Sequence, residues 1–226
     1  MKLNIMGLDE SIEFNDYSNT VLIIKEPKFY SHVLKTISTI IKDKNKTNEI
    51  VLLDDKDKNI LPKSLFILNP FELDLNSKPL LKAIYTDIQS KIIDDGDLDI
   101  EFKEHIQFLN QIIENSLEDY NLDFDYDQEL LVENYLKAIG LKVVKDMDEP
   151  LYNTFINYLE LISELLPDSV LIIANCLEYF EHDQIVEICK YKNYKHLNLL
   201  FIESYLSNFD EATKYIIDED LFQVIE

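Results

Sequence analysis

Between Leu117 and Glu129 the stretch LEDYNLDFDYDQE packs six carboxylates into thirteen residues. Asp123, Asp125 and Asp127 alternate with Leu122, Phe124 and Tyr126, a period of two that predicts a strand with its acids on one face and its apolar side chains on the other. Aligned carboxylates repel, so either water screens them on an open edge or a cation sits among them. An EF-hand loop is excluded: Asp123, Asp125 and Asp127 fit its first three ligand positions, but Gln128 stands at the turn glycine and Asn134 at the bidentate Glu. Calcium also accepts carboxylates from separate elements. Glu114, Glu118, Asp119 and Glu133 flank the run and could complete a looser cage.

A second chemistry is offered by the lysines. From Lys25 to Lys63 there are nine lysines against six acids, and from Lys190 to His196 three lysines and no acid, whereas Asp94 to Glu149 holds seventeen acids against four lysines. Charge is therefore segregated along a chain whose net charge is −23. Lys25, Lys28, Lys42, Lys44, Lys46, Lys56, Lys58 and Lys63 in the first segment, and Lys190, Lys192 and Lys195 in the second, could contact phosphates without reading bases; the alternative is a solvated surface with no specific partner.

Other chemistries leave no legible set. LLFIE at Leu199–Glu203 has the form of a strand ending in a metal-binding acid, but no Gly-rich phosphate cradle accompanies it, and Gly7, Gly96 and Gly140 are too scattered to build one. This argues against ATP hydrolysis. His32, His105, His182 and His196 are isolated, and Cys176 and Cys189 lack zinc-site spacing and read as buried free thiols. Two alternatives stay open: an acidic interaction protein that binds a basic partner directly, and a carboxylate-and-metal nuclease, since such sites need only a few acids.

The elements that must position these residues follow from periodicity. Thr20–Ile24, Ile50–Leu53 and Ser64–Leu68 read as strands, and Pro27 opens a helix whose Phe29, Val33, Ile37, Ile40 and Ile41 form one stripe. From Ser77, a candidate cap, helical spacing runs to Ile92, is interrupted around Gly96, and continues to Leu117. A helix stopping at Gly140 and another from about Leu151 to Leu166 follow. Ser169–Ala174 and Asn198–Ile202 are continuous apolar runs suited to strands buried on both faces, with a crossover helix over Asp183–Lys192. The expected architecture is α/β, with a body at 1–93 and 168–226 and a mainly helical insertion at 94–167. The amino terminus lacks the pattern of a signal peptide and no apolar run is long enough to span a bilayer, so a cytoplasmic protein with no membrane partner is expected.

Several segments in order, MKLN with LDESIEF, TVLIIKEPKFY, LLKAIYTDIQ, YLKAIGLKV and YIIDEDLFQVIE, resemble the Csn-type adaptation proteins of type II-A CRISPR systems. The likeness spans most of the chain. It implies an α/β head like a phosphate-loop ATPase without its nucleotide site, an α-helical leg, and no enzymatic activity. It further implies a homotetrameric ring that holds double-stranded DNA by its ends and supports spacer acquisition with the CRISPR integrase complex and the RNA-guided nuclease. Calcium, in that family, lies in acidic segments; the corresponding ligands here would come from Glu118, Asp119, Asp123, Asp125, Asp127 and Glu133. One departure is physical: all 21 basic residues are lysine, so phosphate contacts would lack the bidentate fork of arginine.

Overall fold

The computed structural model describes residues 1–43, 47–144, 148–205 and 212–226. The chain divides into two compact units, one formed by Met1–Asp74 with Asp146–Glu226 and the other by Leu75–Lys145. In chain order, β1 (Lys2–Ile5), β2 (Ile12–Glu13), β3 (Thr20–Ile24), α1 (Pro27–Asp43), β4 (Ile50–Leu53) and β5 (Leu65–Ile67) belong to the first unit. The second unit holds α2 (Lys78–Asp94), α3 (Gly96–Leu117) and α4 (Val132–Ala138). The first then resumes with α5 (Leu151–Leu165), β6 (Val170–Ala174), α6 (His182–Tyr194), β7 (Asn198–Glu203), β8 (Thr213–Ile217) and β9 (Gln223–Ile225).

Continuous apolar runs make the centre of the first unit. TVLII of β3 and VLIIA of β6 are buried at every residue, as strands covered on both faces must be. The main sheet has the order β5-β6-β7-β3-β8-β9; its first five strands are parallel and β9 pairs antiparallel with β8. A smaller antiparallel sheet, β2-β1-β4, takes the strand predicted at Ile50–Leu53 together with two amino-terminal strands that the sequence reading did not assign. Helix α1 buries Val33, Leu34, Ile37 and Ile40 in the core that also contains Leu22, Ile24, Ile172 and Ile202. Each such side chain contributes roughly 1.5–3 kcal/mol through its removal from water.

The second unit has a smaller core of Tyr85, Val132 and Leu136, with Leu81, Ile84, Ile88 and Phe102 packed on it. Gly140 ends α4 as expected, at φ 66°, with Leu141 N–H donating to Leu136 O at 3.0 Å and Gly140 N–H to Lys137 O at 3.1 Å. Asp95, rather than Gly96, makes the break between α2 and α3: its carboxylate accepts the N–H groups of Asp97 and Leu98, both at 3.2 Å. The expected cap at Ser77 is not made by its side chain, whose hydroxyl is buried without a partner.

Two expectations are corrected here. The units divide elsewhere than at 94–167: α2 joins the second unit because Tyr85 packs with Val132 and Leu136, and α5 joins the first, where Phe155 meets Phe180 at a centroid distance of 5.2 Å. The strand predicted over Asp123–Asp127 is absent, and residues 118–131 form neither helix nor strand. Alternation alone gave the run no core to cover: Leu122 and Phe124 stay 71% and 48% exposed, and Phe124 meets only the exposed Tyr120 ring edge-on at a centroid distance of 5.6 Å among the described aromatic contacts. Among the described residues no helix is long and apolar enough to cross a membrane.

Candidate nucleic-acid interface

At the carboxyl ends of the parallel strands, where α/β sheets commonly bind ligands, the chain's own carboxylates engage backbone donors at two places. The turn from β3 into α1 ends at Glu26, whose carbonyl accepts the N–H of Tyr30 and whose carboxylate accepts that of Phe29 at 2.5 Å. Pro27 then supplies no N–H at the first helical position. The chain's own carboxylate therefore sits where a helix start would hold a phosphate. Glu203, the acid closing LLFIE, is also engaged: it is 1% exposed and one oxygen accepts the N–H groups of Cys176 and Leu177 at 2.9 and 3.1 Å. Burial pushes its carboxyl up to about 7, against the opposing effect of those two bonds. Tyr30 completes the cluster, its hydroxyl donating to Asn175 Oδ1 at 2.5 Å, and burial with the nearby Glu203 charge raises its phenol well above the usual range. Burial likewise raises the Cys176 thiol, making it inert rather than nucleophilic.

The candidate lysines have different fates. Lys25, Lys28, Lys42, Lys63 and Lys190 are exposed. Lys56 and Lys58 are exposed in a turn held by Asp54, whose carboxylate accepts both of their backbone N–H groups at 2.9 Å and is held below its ordinary range chiefly by the Lys58 bond. Lys195 is half-buried, its ammonium 5.7 Å from the Tyr191 ring. Lys44 and Lys46 lie outside the described residues. Lys192 must be withdrawn from the set. It is 1% exposed, and its ammonium donates to Asn15 O at 2.7 Å and Ser18 O at 2.6 Å on the loop before β3, and to Asn193 Oδ1 of its own helix at 3.3 Å. Its position on the buried side of α6, beside Ile188 and Cys189, was readable from helical spacing.

The acids do not converge within one chain. Glu118 and Asp119 follow α3, Asp123, Asp125 and Asp127 point from an exposed irregular segment, and Glu133 in α4 is taken by Lys137 at 2.6 Å, which depresses its carboxyl. Glu114 accepts from Tyr126 Oη at 2.9 Å. Among the described residues no three carboxylate, imidazole or thiol groups meet in a way that could hold a metal ion, so these residues do not fit a calcium cage in the single chain. His32 pairs with Glu49 at 3.2 Å and His196 with Asp16 at 3.5 Å, and neither stands beside a candidate nucleophile.

Fold and site together define a mixed α/β protein in which Glu26 and Glu203, at the carboxyl ends of β3 and β7, are tied to the chain's own backbone, while lysines without an ion pair among the described residues lie on its surface. The chain belongs to the family described as CRISPR-associated protein (Cas_Csn2), whose family model matches residues 42–221. It is 25% identical over 223 residues to CRISPR-associated protein Csn2 of Enterococcus faecalis, covering 98% of this chain and 97% of that one. Against CRISPR-associated protein Csn2 of Streptococcus agalactiae the identity is 23% over 227 residues, covering 100% and 98%. Among solved structures, that titled "Crystal structure of Stu0660 of Streptococcus thermophilus" matches with a TM-score of 0.61 at 13% identity, over 100% of this chain and 76% of that one. The mixed α/β fold and the CRISPR-associated family expected from the sequence are thus borne out.

Proposed function

We propose that this protein is a non-catalytic, sequence-independent double-stranded DNA-binding protein that supports spacer acquisition. In this reading four copies form a ring, linear duplexes enter it by their ends, and the CRISPR integrase complex and RNA-guided nuclease are its partners. The observation that carries the reading is electrostatic: in a chain of net charge −23, Lys25, Lys28, Lys42 and Lys63 stay exposed in the first unit and make no ion pair among the described residues. Ammonium groups without carboxylate partners attract phosphates and release their counterions, whatever the base sequence.

The absence of turnover is supported by the chemistry at the carboxyl ends of β3 and β7. A head related to phosphate-loop ATPases would need free N–H groups at the start of α1 and a free acid at the end of β7; here Glu26 fills the first and backbone N–H groups occupy Glu203. Calcium belongs to the reading only for the assembled ring, where carboxylates of the 118–127 segment from more than one copy would have to meet. The reading is tested by measuring affinity for two linear duplexes of unrelated sequence, together with ATP turnover and duplex integrity. Equal affinities with neither hydrolysis nor cutting are expected; a strong sequence preference, or reproducible cleavage, contradicts it.

A further inference from the structure

Helix α1 carries a straight basic stripe. Successive residues advance about 100° around an α-helix, so positions seven apart return to nearly the same bearing. Lys28, Lys35 and Lys42 therefore share an arc of roughly 40°, and all three are exposed. The buried Val33, Ile37 and Ile40 lie on the opposite side. Ser31, His32 and Thr39 fill the stripe between the lysines, and no acid occurs in the helix before Asp43, its last residue.

The lysines of this stripe differ from others in the molecule. Lys2, Lys91, Lys103 and Lys137 each meet a carboxylate, at 3.0, 2.7, 2.5 and 2.6 Å. None of Lys28, Lys35 and Lys42 does so among the described residues. Acids outnumber lysines 44 to 21, so an ordinary solvated helix face here would carry acids, as α2, α3 and α4 do. The one carboxylate brought to this face, Glu49, meets His32 at 3.2 Å and none of the three lysines, so among the described residues their charges are left for an external anion.

Its dimensions fit an extended one. At about 1.5 Å rise per residue the lysines stand about 10 Å apart along about 21 Å, and B-form DNA presents a phosphate charge every ~1.7 Å of its axis. We propose that α1 is the rail along which a DNA duplex is held, with Lys35 as its central phosphate contact; this rests on the DNA-binding reading above. Lysine ammonium groups on flexible stems accept any phosphate within reach, so the rail positions a duplex without reading it.

The test uses a labelled, mixed-sequence linear duplex and the full-length protein, with affinity followed across a salt series. K28E/K35E/K42E should lose roughly 100-fold or more in affinity, and its log–log salt slope should fall by at least roughly 2.7, about 0.9 per phosphate contact. K2E/K103E/K137E makes the same change in net charge at ion-paired lysines and should keep the wild-type slope. Should the triple rail variant fail to fold, Lys35→Gln should remain folded and lower the slope by about 0.9. A folded rail variant that binds with wild-type affinity and slope overturns the rail and leaves the DNA-binding reading standing. Equal losses in both triple variants also overturn it, and no binding by wild-type protein overturns both.

Discussion

One carboxylate oxygen of Glu203, at the end of β7, accepts the backbone N–H of Cys176 at 2.9 Å and so holds the turn that follows the neighbouring strand β6. Burial raises this carboxyl from 4.5 to about 7. The folded state therefore binds a proton more tightly than the unfolded state does, and the group's contribution is fully present below about pH 4.5 and lost as pH rises through about 7. Wild-type protein should lose up to roughly 3 kcal/mol across this window relative to Glu203→Gln, whose amide oxygen can accept the same bonds without charge. Melting temperatures of the two proteins from pH 4.5 to 8 check this. Parallel curves would contradict it.

Removing the acceptor altogether should be worse than neutralising it. Glu203→Ala leaves the N–H groups of Cys176 and Leu177 buried and unpaired, at a cost of roughly 2–4 kcal/mol. Urea unfolding at neutral pH should rank wild type and Glu203→Gln above Glu203→Ala. An alanine variant of wild-type stability would show that water replaces the carboxylate freely.

Lys192→Met should destabilise the protein by roughly 2–4 kcal/mol, because the carbonyls of Asn15 and Ser18 lose their buried donor. Burial already lowers this ammonium from 10.5 to about 8, with Asp16 opposing. Its folded pKa lies below the unfolded one, so its contribution rises between about pH 8 and 10.5. The same variant, folded, should keep the salt slope of DNA binding. A drop in that slope would return Lys192 to the interface.

Strands buried on both faces were legible because their apolar runs are unbroken: Thr20–Ile24, Val170–Ala174 and Asn198–Glu203 fall within a residue of their expected bounds. Helix α1 was legible from Pro27 and its stripe. The small sheet was not, because β1 and β2 are short and gain their order only by pairing across the chain, Leu3 with Ile12 and with Leu52. The acidic run misled because period-two alternation signals a strand only where a neighbour supplies hydrogen bonds and a surface to cover. Lys192 misled for the opposite reason, since a lysine among tyrosines and other lysines looks exposed until its helical bearing is compared with Ile188 and Cys189. Lys35 was passed over although its seven-residue spacing from Lys28 and Lys42 was present in the sequence.

Calcium should act on assembly and not on the isolated chain. The 118–127 carboxylates are exposed and do not converge, so dilute monomer should show no saturable calcium site, while chelation should lower the sedimentation coefficient of the concentrated protein. Magnesium, which demands a tighter octahedral shell, should substitute poorly. A tight site in the monomer, or sedimentation unchanged by EDTA, would contradict this.

The most direct test of the central claim compares one sequence as a linear duplex and as a covalently closed circle, with affinity measured across a salt series. A ring that holds duplexes by lysine–phosphate contacts needs a free end, so the linear form should bind with a steep salt dependence, roughly 0.9 in log–log slope per phosphate contacted, and the circle should not bind. Equal affinity for both forms, or a linear-duplex affinity indifferent to salt, would contradict the account.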